Sequence, residues 1–267
     1  MMDELLIGQE GRVRTLTLNR PEKRNALSAA LRRRLGDEVT AAGTDPGTSV
    51  VIIRGAGSCF SAGNDMDAGI IEDPPLDQLN LRSLLGPVNQ IMDCPIPVIA
   101  QVHGWCLAGA TDIAFACDLV VASHTAAFGH PGVRVQGTPT TNMWLYHGGT
   151  QLAKWLLLTG ENISGQDAAR RGLVLASYEE EALTGEVELL ATQMSRVNRD
   201  SLVANKLVLN HGLDLMGRSM LQAFATAQDT IAHTSAESRE FRDHVRAHGT
   251  KSAIRARDEK FARGETR

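Results

Sequence analysis

Apolar and polar residues alternate in a way that predicts strands at the start of the chain. Residues 5–9 and 13–18 alternate in this manner on either side of Gly11, which predicts a β-hairpin. Further along, short apolar runs rich in β-branched residues predict buried strands at residues 49–54, 98–102 and 119–122. The first half of the chain is therefore expected to be built on a sheet.

Helical patterns lie between these strands and dominate the rest of the chain. Ser28 is placed to cap a helix that runs to about residue 42. Further helices are predicted at residues 76–92 and 108–116, and beyond about Trp144 at residues 151–159, 164–171, 179–197, 201–211 and 215–233. Strands and helices thus alternate first, and helices without strands follow, which predicts an α/β fold with a helical C-terminal region. We divide the chain into a core at residues 1–197 and a helical region at residues 198–267, which packs on the core or on a neighbouring subunit.

Composition excludes several classes of protein. Hydrophobic residues make up 43% and charged residues 22% of the 267 residues, which is typical of a globular protein. The formal net charge of −4 gives no reason to expect nucleic-acid binding. No signal peptide or membrane-spanning stretch is evident, and we expect a cytoplasmic protein with free cysteines and no membrane association. No Cys-x-x-Cys or His-Glu-x-x-His spacing occurs, so no metal site is expected.

A loop of small residues follows the strand predicted at residues 49–54. It runs to Asp65, near a possible helix start, and its small side chains would let a ligand approach the backbone. A dinucleotide-binding loop is a poor alternative, because Phe60 stands where the third glycine of that motif belongs. The lysine of a phosphate-binding P-loop is also absent.

A second loop of this kind occupies residues 103–112, between another predicted strand and a helix. Two such loops could aim two backbone N–H groups at one point, which is the geometry of an oxyanion hole. Tight packing of helix on strand is the other explanation of the same small residues.

Several motifs, in order along the chain, resemble those of the crotonase (enoyl-CoA hydratase/isomerase) family. They lie at residues 19–28, at 59–66, at 104–118, at 128–131, and at 158–160 with Ala168 and 172–174. The resemblance implies a spiral of β-β-α units, followed by a helical oligomerisation region that assembles homotrimers or dimers of trimers. It also implies an acyl-CoA substrate, with coenzyme A entering as part of that substrate and no other cofactor.

The resemblance also assigns roles by position. The backbone N–H groups of Asn64 and Gly109 would form the oxyanion hole. Four residues fall where the family holds the adenosine part of CoA: Lys23, Arg24, Ala26 and Ala62. Asp65 and Met66 would flank the thioester and the pantetheine arm, and Lys260 and Phe261 lie where C-terminal CoA contacts occur in the family.

The chain departs from the hydratase pattern at one of its two catalytic glutamates. The first glutamate corresponds to Asp112, which keeps a carboxylate, and the second to Gly132, which has no titratable group. The base of the isomerase branch corresponds to Thr140. Asp112 is therefore the main catalytic candidate, although it could instead stabilise a helix N-terminus. His130 is the second candidate, with a structural histidine as the alternative.

Three hypotheses follow from these residues. The first is an enzyme of the enoyl-CoA hydratase/isomerase type, or a thioester hydrolase, C–C hydrolase or decarboxylase of the same fold. The second is a CoA-binding protein without activity, which the replacements at Gly132 and Thr140 favour. The third is a serine protease of related fold using Ser58 or Ser61, although the chain has no Gly-x-Ser-x-Gly elbow.

Overall fold

Two sheets organise the part of the chain that the structure, a computed structural model, describes: residues 3–65, 71–135 and 137–261. The strands are β1 (Leu5–Glu10), β2 (Val13–Leu18), β3 (Val50–Gly55), β4 (Val98–Val102), β5 (Trp105–Leu107), β6 (Leu119–Ser123), β7 (Ala127–Gly129), β8 (Asn162–Ser164) and β9 (Ala176–Tyr178). The larger sheet has the order β1-β2-β3-β4-β6-β9 and the smaller one β5-β7-β8. β1 and β2 form the predicted antiparallel hairpin, and all later neighbours in the large sheet are parallel.

Ten helices surround these sheets in the described residues. They are α1 (Ala29–Thr44), α2 (Pro74–Met92), α3 (Gly109–Ala116), α4 (Trp144–Thr159), α5 (Gly165–Arg170), α6 (Glu180–Ser195), α7 (Arg199–Leu215), α8 (Arg218–His233), α9 (Ala236–His248) and α10 (Thr250–Glu259). The Ser28 side chain caps α1, as the sequence predicts, by accepting a hydrogen bond from the Leu31 N–H. The succession β4-β5-α3 is one β-β-α unit, with one strand in each sheet.

Apolar side chains of the large sheet are buried on both of its faces. Along β3, Val51 and Ile53 join the main core, whereas Val50 and Ile52 point to the opposite face. The main core includes side chains of α1, α2, α3 and α4, and the opposite face is covered by apolar residues of α6. Burial on both faces explains why the inner strands are continuous apolar runs.

The structure corrects the prediction that no strand follows Trp144. β8 and β9 lie in that stretch, and the small sheet as a whole was not predicted. Its strands have three residues each, too few to show a periodicity. They exist because neighbouring backbones pair, so β5 aligns with β7 and β7 with β8.

The helical region packs on the core of its own chain. The buried Lys206 of α7 donates to the Ile96 carbonyl at 3.1 Å and to Asp118 Oδ2 at 2.7 Å. Arg199 at the start of α7 donates to the carbonyls of Gly43 and Thr48. The division of the chain at residue 197/198 falls between α6 and α7 and stays a prediction.

Within the described ranges, no helix has the length and apolarity needed to cross a bilayer. In the same residues, no three His, Cys, Asp or Glu side chains are grouped so that they could hold a metal ion.

Candidate active site

Two loops meet through backbone pairing beside the small sheet. The first loop (residues 55–65) and the second loop (residues 103–109) run parallel, with an isolated bridge between Ser61 and Cys106. The Ser61 N–H donates to the Trp105 carbonyl at 2.9 Å, and the Leu107 N–H donates to the Ser61 carbonyl at 3.2 Å. The sequence placed these loops after separate strands, and the pairing brings them together.

This pairing leaves two N–H groups side by side. Asn64 pairs with Leu27 through its neighbours, because the Gly63 carbonyl accepts from the Leu27 N–H and the Asp65 N–H donates to the Leu27 carbonyl. Gly109 is the first residue of α3, where an N–H has no partner within the helix. Among the described residues, no acceptor bonds the N–H of Asn64 or of Gly109.

The approach of the two loops requires small residues. A Cβ at Gly63 would lie 2.6 Å from the Leu107 carbonyl oxygen and 3.3 Å from the Gly109 nitrogen. A Cβ at Gly109 would overlap the side-chain amide of Asn64. Ala108 has φ 50° and ψ −126°, a conformation that is strained for a residue with a side chain. Its N–H donates to the Gly129 carbonyl, which holds the turn in place. Strain at such a point is typical of functional sites.

Asp112 lies on α3, one turn after Gly109, and is buried. Its Oδ1 accepts from the Thr141 hydroxyl at 2.5 Å and from the Thr141 N–H at 3.3 Å, and its Oδ2 accepts from the Thr140 hydroxyl at 3.3 Å. Burial raises the pKa of Asp112 to about 6, although the hydrogen bonds from Thr141 and Thr140 act in the opposite direction. Thr140 therefore contacts the catalytic candidate through its hydroxyl.

His130 stands at the entrance to a short 3-10 turn, Pro131–Arg134. Burial lowers the pKa of His130 to about 4, so its ring is neutral near pH 7. Its Nδ1 is buried and has no hydrogen-bond partner among the described residues. Gly132 lies beside this ring and contributes no acid or base.

One cavity of about 870 Å³ contains these groups. It is lined by both oxyanion candidates, by Asp112 and by His130, together with Gly132 and Thr140. His147 of α4 is not part of this lining, and its Nε2 donates to the Phe115 carbonyl at 3.0 Å. Ser58 and Ser61, the serines of the alternative protease hypothesis, are not part of the cavity lining. The Ser61 hydroxyl instead donates to the Asn25 carbonyl and accepts from the Gly63 N–H.

Some of the residues assigned to CoA by resemblance line the cavity and others lie outside it. Arg24, Ala62 and Asp65 line the cavity, whereas Lys23 and Ala26 are not part of its lining. The Arg24 guanidinium lies over the exposed Trp105 ring, 4.6 Å from its centroid. Asp65 accepts from Arg20 Nη1 at 2.9 Å, so it forms an ion pair with the protein itself.

The remaining residues assigned to CoA lie at or just beyond the ends of the ranges that the structure describes. Met66 lies outside the described residues. Phe261, near the C-terminus, stacks on the Arg134 guanidinium at 4.5 Å from the ring centroid, and Arg134 lines the cavity. Lys260 is not part of the cavity lining.

Sequence reasoning missed a group of charged residues on the cavity wall. They come from helices far apart in the chain, and no local spacing connects them: Arg32, Asp77, Asp229, His233, Arg257 and Asp258. Arg32 donates to Asn64 Oδ1 at 2.7 Å, so a cation lies beside the first loop. The residues after 198 therefore contribute directly to the cavity, in addition to any role in assembly.

Comparisons with known proteins identify relatives of the whole chain. A family model described as enoyl-CoA hydratase/isomerase matches residues 8–248. The chain is 35% identical over 218 residues to a 2,3-dehydroadipyl-CoA hydratase of Escherichia coli, a match that covers 80% of this chain and 84% of the relative. An enoyl-CoA hydratase structure from Mycobacterium smegmatis superposes with a TM-score of 0.92 at 32% identity, covering 97% of this chain and 94% of the other. An enoyl-CoA hydratase/isomerase structure from Xanthobacter autotrophicus Py2 also gives a TM-score of 0.92, at 30% identity, over 98% of this chain and 99% of the other.

Proposed function

The chain belongs to the enoyl-CoA hydratase/isomerase family, and we propose that it hydrates an enoyl-CoA thioester through an enolate held by Asn64 and Gly109. The observation that carries the proposal is the pair of unbonded backbone N–H groups on a cavity that also contains the buried Asp112. The predicted spiral fold is confirmed by the structural neighbours, and the reaction itself is the proposal.

The oxyanion hole accounts for the first part of the reaction. When a nucleophile adds to the β-carbon of an enoyl thioester, negative charge moves to the thioester oxygen. Two backbone N–H groups can bind that oxygen without carrying a charge or titrating themselves. Removal of one such donor from an enzyme costs about 3–4 kcal/mol of transition-state stabilisation, so this pair would supply a large part of the acceleration.

Asp112 accounts for a proton transfer at the α-carbon. Its carboxyl lies on the helix that begins with the Gly109 donor, one turn away along the axis. A pKa of about 6 lets it both hold and release a proton near neutral pH. The hydroxyls of Thr140 and Thr141 fix the orientation of the carboxyl.

The CoA portion would extend towards the mouth of the cavity. Arg24 lines the cavity and stacks on Trp105, and a guanidinium in this place can bind phosphate or the face of a purine. Ala62 lies in the same lining, and its N–H donates to the Arg24 carbonyl at 2.9 Å. The proposal needs no cofactor other than the coenzyme A of the substrate.

Hydration is tested by following the loss of enoyl-thioester absorbance with a panel of trans-2-enoyl-CoA substrates, starting with crotonyl-CoA. The panel includes a carboxylate-bearing enoyl-CoA, because Arg32 lines the cavity and has no ion-pair partner among the described residues. We expect turnover, and a loss of roughly 100- to 10,000-fold for Asp112→Asn.

The matched control is Asp37→Asn, which alters an exposed aspartate of α1 and should leave the rate unchanged. A panel without any turnover, together with intact CoA binding, would contradict hydration and favour a binding protein.

Thioester hydrolysis is a second candidate, favoured by Gly132, which leaves the position of the second hydratase glutamate without a carboxylate. Hydrolysis needs the oxyanion hole and one group that activates water. Release of free CoA thiol from saturated acyl-CoA substrates would identify this reaction, since hydration releases none.

We also propose that the protein assembles as a homotrimer or a dimer of trimers. Helices α7 and α8 and the turn between them expose several large apolar side chains: Leu207, Val208, Leu209, Leu215, Met216, Met220, Phe224 and Ile231. Exposed apolar residues in such numbers are typical of interaction surfaces. Sedimentation equilibrium would give the subunit number, and a monomer at micromolar concentration would contradict the proposal.

A further inference from the structure

A histidine and two carboxyl groups lie together on a wall of the cavity formed by two distant helices. Asp229 and His233 lie on α8, one turn apart, and Asp77 lies on α2. All three line the cavity, and both carboxylates are almost completely buried. We call these three residues the Asp–His–Asp cluster.

The contacts orient the histidine. His233 Nδ1 lies 2.8 Å from Asp77 Oδ2, and because a carboxylate accepts, Nδ1 carries the proton. Nε2 then faces Asp229, at 3.8 Å from its Oδ1. Asp229 Oδ1 also accepts from the Thr138 N–H at 2.8 Å. Asp77 thus fixes the ring with its second nitrogen directed at Asp229, which is how a carboxylate orients a histidine in proton-transfer sites.

One oxygen of Asp229 is left for a ligand. Among the described residues Asp229 Oδ2 has no hydrogen-bond partner. It is also absent from the unbonded side-chain atoms that are completely shielded from solvent, so a ligand can reach it. An ionised carboxylate can accept hydrogen bonds on both oxygens, so Oδ2 can bond a ligand or a water molecule. The carboxyl therefore presents a free acceptor to the cavity.

Asp229 and Asp112 are attached to the same short segment. The Thr138 N–H bonds Asp229, whereas Thr140 and Thr141 bond Asp112. Residues 138 and 141 can be separated by at most about 10 Å of extended chain. Burial raises the pKa of Asp229 to about 6, and the charge of Asp112 adds to this effect. The two carboxyls are thus close enough to influence each other.

We propose that Asp229, oriented through His233 and Asp77, is the second proton-transfer group of this enzyme and supplies the function that Gly132 cannot. The inference rests on the proposed hydration. A water held by Asp229 adds its oxygen to the β-carbon, and its proton passes to Asp229. The α-carbon of the enolate takes a proton from Asp112. The product is the 3-hydroxyacyl thioester, and both carboxyls return to their starting states by proton exchange with solvent.

Two reactions separate the roles of the carboxyls. Hydration of enoyl-CoA needs Asp229 and Asp112, whereas exchange of the α-protons of butyryl-CoA in D₂O needs only Asp112 and the oxyanion hole. We expect Asp229→Asn to lose hydration by at least about 100-fold while α-proton exchange and the KM for the enoyl-CoA change little. Asp112→Asn should lose both reactions, and Asp37→Asn neither.

His233→Gln tests the positioning role by a pH profile. The groups that face Asp229 in the described residues are His233 on its own helix, Asp77 on α2 and Asp112 on α3; Arg242 of α9 bonds the His233 carbonyl. The charge of His233 lowers the pKa of Asp229, so its removal should move the rise of kcat with pH to higher pH. An unchanged profile would contradict the coupling.

The outcomes distinguish this inference from the function on which it rests. If Asp229→Asn hydrates within about threefold of wild type, Asp229 has no catalytic role, and the hydratase proposal stands. If the wild-type protein exchanges α-protons but hydrates no substrate, the oxyanion hole and Asp112 stand, whereas the proposed hydration fails and the role of Asp229 fails with it. If it does neither, the proposed function fails and the role of Asp229 fails with it.

Discussion

The cavity has two halves that are built in different ways. One half is backbone: the paired loops that present the N–H groups of Asn64 and Gly109. The other half is side chain: Asp112 and the Asp–His–Asp cluster, from three helices. The backbone half needs small residues in sequence order, and the side-chain half needs only that distant helices meet. The first half, together with Asp112 on the helix that follows the second loop, therefore leaves a motif in the sequence, whereas the Asp–His–Asp cluster leaves none.

The backbone half is broken most directly at Gly63. Gly63→Ala places a Cβ at φ 101°, against the Leu107 carbonyl and near the Gly109 nitrogen, so both donors must shift. We expect kcat to fall by about 1,000-fold or more, because misplaced donors lose their stabilisation of the oxyanion. Steady-state kinetics with the best enoyl-CoA would measure the loss.

The matched control for Gly63→Ala is Gly172→Ala. Gly172 also has a positive φ, of 74°, but a Cβ there meets nothing within 4 Å. The control carries the conformational strain without the displacement of the donors. Equal losses of activity in the two variants would mean that strain, and not the oxyanion geometry, explains the effect.

The side-chain half contains the buried carboxylate of Asp112, and its charge should lower the free energy of unfolding. Asp112 has a pKa of about 6 in the folded protein against an ordinary value of 3.8. Folding therefore disfavours ionisation of Asp112. The free energy of unfolding falls as the pH rises from about 4 to about 6, and it is lowered by the full amount above pH 6. We expect Asp112→Asn to gain stability relative to wild type across this window, by up to about 3 kcal/mol.

Urea denaturation at a series of pH values would measure this difference. The backbone half offers the comparison, since its N–H groups do not titrate and should add no pH dependence. A constant difference between Asp112→Asn and wild type from pH 4 to pH 7 would mean that Asp112 titrates normally.

The smallest effect on catalysis is expected at the mouth of the cavity, away from the oxyanion donors and the carboxyl groups. Arg24→Ala removes the stacking of the guanidinium on Trp105 and a cation that can contact CoA. We expect KM to rise by about two- to fivefold with kcat unchanged, because an exposed contact of a cation with the face of the CoA purine would contribute about 0.5–1 kcal/mol to binding. Arg33→Ala, an exposed arginine of α1, is the control. A fall in kcat instead would place Arg24 in the chemistry.

The sequence by itself determined the family and the backbone half of the site. The inner strands are continuous apolar runs because they are buried on both faces, and the loops contain small residues because two backbones must approach closely. Both constraints act on consecutive residues, so they leave a local pattern. The resemblance of that pattern to the family predicts the roles of Asn64, Gly109 and Asp112 by position.

Only the tertiary structure decided the Asp–His–Asp cluster of the side-chain half. Asp77, Asp229 and His233 lie on helices separated by more than half of the chain, and each looks by itself like an ordinary polar residue of an amphipathic helix. The short strands of the small sheet were equally hidden, because their pairing partners, and not their own residues, make them strands. A contact between distant segments has no period and no spacing in the sequence, since it exists only once the chain has packed.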